Sequence, residues 1–503
     1  MSASHPPISL PRRRAITAGL LLGMSLGALE ATVVSTAMPT VIAQLGGLAH
    51  YSWVFSAYLL TSTASVPIWG RLSDLYGRRR MYLIGVAAFL LGSVASGAAG
   101  NMMQLIAARA LQGLGAGAII PLSMTIIGEL YALDERARTQ ALFSSVWGVA
   151  SIAGPLVGGY ITDAWDWRWV FYLNVPFGFC CMTVIATAYP PTRLTKDVHV
   201  DWLGASLLFA GVSALLIALG GELGAPWPWF VASVVLLAAF VIVERRASEP
   251  IMPVDLFRLP VMNRTLVVVF LVGFALFGAI AFIPLFVRSV MGGTATQSGQ
   301  VLTPLFLGWV VMSIVGARTT IRMGYRVATI GGSIVMTLGF VGLTFLDTHS
   351  TRTLLLGSCL ILGAGMGTQM LSVLLAVQHG VDRSRLGIAT SLNQFSRSVG
   401  AAVGVSAMGA IMAGTLAGVA LPAAEGAAAT AITLPGPMRE LFASGLHRVF
   451  VAGLIVSATG FVSTLFLPAV HFRHSVPTTA GEQMLEAEMT NLRAEDEPIA
   501  VPE

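Results

Sequence analysis

Charge is what this sequence has least of. Only 11% of its 503 residues are Asp, Glu, Lys or Arg, and 55% are hydrophobic, where an ordinary soluble domain carries about 25% charged residues. A chain so composed cannot clothe itself in polar surface, which excludes a soluble globular fold. Cysteine is scarce too. Cys180, Cys181 and Cys359 lie in apolar stretches without metal-ligand spacing, which excludes a disulfide framework and a metal site and leaves them as packing residues. The chain has no His-Glu-x-x-His pair, no nucleophile constellation and no phosphate-binding Gly-x-x-x-x-Gly-Lys loop. Enzymatic chemistry and direct ATP drive are therefore not expected, nor is a cofactor. A formal net charge of +5 suggests nucleic acid at first sight, but the basic residues sit in short loops and form no continuous face, so that partner is excluded as well.

What the chain has instead is a succession of apolar stretches of about 20 residues, the length that crosses a hydrocarbon core as an α-helix. The stretch that begins at Ala15 is longer than a secretory signal, carries Glu30 and has no small-residue cleavage site after it, so it is kept as the first span. The expected fold is an all-α integral membrane protein with about fourteen spans. Its expected parts are a cytoplasmic N-terminus (1–14), a six-helix bundle (15–190), two extra transmembrane helices (201–243), a second six-helix bundle (264–470) and a disordered cytoplasmic tail (475–503). The segment from Ala413 to Leu446, rich in Ala, Gly and Pro, reads as a long outer loop with little packed structure.

Orientation follows from the Lys and Arg residues, which accumulate in cytoplasmic loops. Of the 29, only Arg168, Arg288, Arg352, Arg439 and Arg448 fall in one set of alternate loops, and Arg109 and Arg397 fall inside spans. All the others take the opposite side. Both termini are expected inside, which requires an even number of spans. The two bundles also repeat one another: Gly113, Gly115 and Gly117 with the loop from Asp134 to Arg138 recur as Gly363, Gly365 and Gly367 with the loop from Asp382 to Arg385. Duplication of this kind builds transporter halves around a midplane site.

Of the 24 acidic residues only Glu30 lies well inside a span, about 22 Å from the inner edge of a core about 30 Å thick. An intramembrane carboxylate is costly unless protonated, paired or wet, so it marks function. Arg109, about 9 Å below Met103 on the fourth span, reaches a similar depth. The two could meet and make a site that loads and releases a proton. Between the second and third spans stands Gly70-Arg-Leu-Ser-Asp-Leu-Tyr-Gly-Arg-Arg-Arg80, read as a tight inner turn. In it Gly70, Asp74, Gly77, Arg78 and Arg80 are candidates for a conformational gate, with Asp74 suited to cap a helix or pair with an Arg. On the fifth span Gly148, Gly154, Pro155, Gly158 and Gly159 allow close helix approach and a bend. Asn393 and Arg397 share one face of the thirteenth span. Together with Tyr58, Trp147, Phe274 and Gln369 they are candidates to line a substrate cavity.

These strings, in this order, resemble the fourteen-span drug:proton antiporter branch of the major facilitator superfamily across nearly the whole chain. Gly70 to Arg80 is similar to that family's loop motif, and Leu105, Arg109, Gln112, Gly113 and Gly117 to its fourth-span motif. Trp147 to Gly159 is similar to its antiporter signature, Leu29 to Pro39 to its first-span motif, and Trp167-Arg-Trp-Val-Phe-Tyr-Leu-Asn-Val-Pro176 also fits. The first-span motif usually has Asp and Asn where this chain has Glu30 and Ser35. The second-half counterpart of the loop motif, Gly316 to Gly324, has no acid, so an inner latch would rest on Asp74 alone. The resemblance implies a monomeric, proton-coupled exporter of small hydrophobic or amphipathic compounds in the cell membrane, with the lipid bilayer, protons and a small-molecule substrate as partners. A lipid or dedicated-metabolite transporter of the same fold is the alternative.

Overall fold

A computed structural model describes residues 9–45, 51–190, 201–220, 224–247, 250–293, 297, 300–416 and 436–468. They belong to one compact unit, Met1–Ala469. Among the described residues the chain is helical, without strands. The first half holds α1 (Leu10–Leu45), α2 (Tyr51–Tyr76), α3 (Arg78–Gly97), α4 (Met102–Leu130), α5 (Leu133–Ala164), α6 (Arg168–Tyr172) and α7 (Asn174–Ala188). Then come α8 (Trp202–Gly220), α9 (Pro226–Glu244) and the short α10 (Val254–Arg258). The second half holds α11 (Pro260–Ser289), α12 (Thr303–Met323), α13 (Tyr325–Thr344), α14 (Arg352–His379), α15 (Leu386–Leu416) and α16 (Gly436–Leu465).

Among the described residues 11 helices are long and apolar enough to cross a membrane, with α6 and α7 counted as one. The helices α1, α2 and α5 are 36, 26 and 32 residues long and are not among them. Each half has its own buried apolar core: one gathers Phe286, Phe340, Leu362, Met408 and Phe450, the other Leu20, Tyr82, Phe89, Leu122 and Phe143. The outer faces carry exposed Leu91, Phe179, Trp227, Val235, Leu307 and Leu338. Apolar surface on this scale is stable only against lipid or another apolar partner.

The duplicated glycines have the same work in both halves. A Cβ on Gly113 or Gly117 would strike the backbone of α2 at Tyr58 and Ser62, and one on Gly115 the backbone of α3 at Phe89. In the second half Gly363 and Gly367 meet α12 at Leu305 and Trp309, and Gly365 meets α13 at Met336. So α4 and α14 are each wedged between two helices at backbone contact, which small residues permit. The α2–α3 and α12–α13 connections match as well: each is a single glycine, Gly77 at φ 88 and Gly324 at φ 85. A side chain is strained at that dihedral.

Three expectations change. The Gly70–Arg80 string is not a turn throughout, because α2 continues to Tyr76 and only Gly77 reverses the chain. The amide of Gly77 still donates to Ser73 O at 3.1 Å, so the helical ladder runs to the corner. The outer segment from Ala413 to Leu446 is helical at both ends: α15 reaches Leu416 and α16 starts at Gly436, where Phe442 and Leu446 find buried sites. Its middle, 417–435, lies outside the described residues, as do the tail 475–503 and the side chain of Ser35. The sixth span is broken at Leu173 into α6 and α7. Pro176 has no N–H to return to Tyr172 O, so the ladder is interrupted there.

The helices between the halves are held by small contacts. Ala64 of α2 packs in one cluster with Ala205, Leu208 and Val212 of α8, and Ser406 of α15 donates to Leu219 O of α8 at 2.9 Å. The outward side of α9 exposes Trp227, Phe230, Val231, Val234 and Val235.

Candidate functional site

Glu30 of α1 and Arg109 of α4 form an ion pair, each residue only 2% exposed. The pair sits in a closed polar cluster. Arg109 also donates to Gln112 Oε1 at 2.7 Å and to Val54 O at 3.2 Å. Its guanidinium lies 4.3 Å from the ring centre of Tyr58, within cation–π range. The second carboxylate oxygen of Glu30 accepts from Asn174 Nδ2 at 2.7 Å, and Asn174 also donates to Ser93 Oγ at 2.9 Å. Asn174 reaches this place because the break at Leu173 makes it the first residue of α7. Sequence reasoning brought Glu30 and Arg109 to one depth but missed Asn174 and Ser93. The available signal was Asn174 itself, a polar side chain inside an apolar stretch.

At one end of the bundle the two halves are tied together. Asp74, in the last turn of α2, accepts from the amides of Gly387 at 3.0 Å and Ile388 at 2.8 Å, in the first turn of α15. These are amides that a helix N-terminus leaves without partners, and a carboxylate there also meets the positive end of the helix dipole. Asp74 pairs with Arg78 of α3 as well, with its side chain 1% exposed. Arg78 donates in turn to Glu129 Oε1 at 2.8 Å, and Tyr189 OH donates to Glu129 Oε2 at 2.8 Å. Gly70 lets Ser391 of α15 lie against α2, where a Cβ would overlap it. Arg80 is exposed. A second tie joins Gln140 Nε2 of α5 to Gln378 Oε1 of α14 at 3.0 Å, and Gln378 Nε2 donates to Met124 O at 3.2 Å. Outside the long helices, Arg385 donates to the Asp255 carboxylate of α10 and holds it below the usual carboxylate range. Glu129 and the glutamine pair were not picked out from the sequence.

Between the halves lies a cavity lined by Met24, Ile120, Pro121, Met124, Gln140, Phe143 and Trp147 from one side and Trp309, Ser313, Met370, Leu371, Leu374, Thr390, Asn393, Gln394 and Arg397 from the other. Three of the six sequence candidates, Trp147, Asn393 and Arg397, line it. The other three lie elsewhere. Tyr58 covers Arg109, Gln369 accepts from Ser333 Oγ at 2.7 Å in the second-half interior, and the backbone of Phe274 packs on Gly404 of α15. Along α5, a Cβ on Gly148 would meet Val310 of α12, so this glycine serves the contact between halves. Gly154 and Gly158 are buried in α5. The surroundings of Pro155 and Gly159, where the bend was expected, lie outside the described residues. Among the described residues no group of His, Cys, Asp and Glu could hold a metal ion.

Comparison with known proteins agrees with this architecture. Residues 20–405 match the model of the Major Facilitator Superfamily. The chain is 36% identical to the Multidrug transporter protein MdtP of Bacillus subtilis (strain 168) over 91% of this chain and 94% of that one. It is 35% identical to Multidrug resistance protein 3 of the same organism over 79% of each. Its fold matches that of the human organic anion transporter MFSD10 (TETRAN) with a TM-score of 0.65, covering 92% of this chain at 13% identity. At that identity the likeness concerns the fold alone.

Proposed function

The chain belongs to the Major Facilitator Superfamily, a multi-pass membrane transporter and not an enzyme, and from that premise we propose that it is a proton-coupled antiporter exporting small hydrophobic or amphipathic compounds. The observation that carries the coupling is the Glu30–Arg109 pair, buried beyond the reach of water. A bundle needs no such pair to stand, and charges in a membrane interior are retained for what they do. The substrate class rests on the cavity, whose wall is mostly apolar, with Met, Leu, Phe, Trp, Ile and Pro side chains, and on the printed names of the Bacillus relatives. Transport then proceeds by rocking of the halves about the cavity, with the Asp74 end, taken as cytoplasmic, closed in this state. Everted membrane vesicles energised by an imposed pH gradient should accumulate dyes and drugs from a mixed panel and release them when the gradient is collapsed. Uptake of no panel member, or uptake indifferent to the gradient, would sink this reading.

The topology we propose adds α1, α2 and α5 to the 11 apolar helices, with α8 and α9 as the extra pair between six-helix halves and both termini cytoplasmic. The Arg-rich loops then all face inward. Reporter fusions at Ser475 and at Ala225 should report opposite sides of the cell membrane; the same side for both refutes the arrangement.

A further inference from the structure

We propose that the central cavity selects amphipathic anions, with Arg397 as the residue that recognises their acidic group. This rests on the export reading above and names the cargo of the same cavity. Among the described residues that line it, Arg397 is the one charged side chain. Its polar partners are neutral: Gln394 Oε1, which accepts from Nη2, and the Met370 thioether, 3.0 Å from Nη1. The contrast with Arg109 is direct, since that buried guanidinium has its carboxylate. One turn before Arg397, Asn393 is 6% exposed and its Nδ2 is buried without an acceptor. A buried donor left without an acceptor costs free energy that a ligand can return. Guanidinium and carboxamide thus offer donors from one helix face, and among the described lining residues no carboxylate offers an acceptor to a cation.

The rest of the wall fixes the other half of the ligand. Trp147 from the first half and Trp309 from the second both line the cavity, together with Phe143, Met24 and Leu371, a surface for an aromatic or aliphatic body. A carboxylate, sulfonate or phosphate on such a body would meet the Arg fork with bidentate geometry. A cation of the same shape would meet Arg397 in a low-dielectric site with nothing to offset the repulsion.

The test uses three ligands of one shape and different charge: 9-anthracenecarboxylate, 9-anthracenemethanol and 9-anthracenemethylammonium. Binding to purified full-length protein is read from quenching of tryptophan fluorescence, and export from everted vesicles. The carboxylate should bind at least about tenfold more tightly than the ammonium compound. In Arg397→Gln that preference should vanish while affinity for the alcohol stays within about twofold, and Arg397→Lys should restore part of it. Removing a half-buried cation that has no carboxylate partner should leave the melting temperature equal or higher, so loss of fold does not confound the result. Equal or tighter binding of the ammonium compound, or a carboxylate preference that survives Arg397→Gln, overturns the proposal. If the alcohol and the ammonium compound are exported and the carboxylate is not, the anion class fails while the export reading stands. If none of the three binds and the drug panel is not exported, both fail.

Discussion

Replacing Glu30 with Gln is expected to abolish uphill export while leaving exchange down a gradient in place. One pH unit across the membrane supplies about 1.4 kcal/mol per proton, enough to hold about a tenfold gradient of a neutral cargo. On the proposed antiport reading, export can draw on that energy only if a group gains a proton on one side and loses it on the other. Glu30 has the geometry for this. Its two oxygens are held by Arg109 and Asn174, and protonation would discharge the ion pair and free Arg109 to Gln112 and the face of Tyr58. Gln cannot titrate. It keeps an oxygen for Arg109, but the cation is left without its counterion, and breaking a buried pair costs about 3–5 kcal/mol. A lower melting temperature should therefore accompany the loss of pumping. Glu30→Asp should keep part of the function, since the carboxylate is only one methylene short. Reconstituted Glu30→Gln protein that concentrates substrate under an imposed pH gradient, with wild-type pH dependence, would make the pair structural.

The sequence carries the fold more fully than the site, for reasons visible in single residues. Helices here follow from long apolar stretches, and the repeated glycines mark where α4 and α14 are wedged, because backbone contact admits nothing larger. Depth along a helix is a matter of rise per residue, so Glu30 and Arg109 could be brought level from numbering alone. Rotation about the helix axis could not. Tyr58, Phe274 and Gln369 lie on spans with the right composition but are not among the residues that line the cavity, while Gln140, Gln394 and Met370 are. The partners of Glu129 and Gln378 come from helices far away in sequence, and only packing brings them together. The continuation of α2 to Tyr76 escaped notice for a local reason: Arg71 and Asp74 look like loop chemistry, yet both are buried side chains on the last turns of a helix.

Asp74→Asn should loosen the closed end and slow turnover with little change in substrate affinity. The carboxylate joins two elements that must part for the halves to rock: it accepts two amides at the start of α15 while paired with Arg78 of α3. Asn keeps a single acceptor oxygen and no charge, so it loses one amide partner, the attraction of the helix dipole and the ion pair. A charge-assisted contact of this kind is worth about 1.5–3 kcal/mol, and each 1.4 kcal/mol shifts the balance between closed and open by about tenfold. Because the cavity residues are untouched, equilibrium binding should stay nearly intact, and turnover should fall because one conformation is no longer held. Ser391 provides the readout. It is fully buried beneath Gly70 at the α2–α15 contact, so in a background with Cys180, Cys181 and Cys359 replaced, Ser391→Cys should react with a soluble maleimide only when that end opens. Asp74→Asn should raise the labelling rate about tenfold or more. If turnover fell while labelling stayed at the parent rate, or if binding were lost in parallel with transport in well-folded protein, Asp74 would not be a latch between the halves.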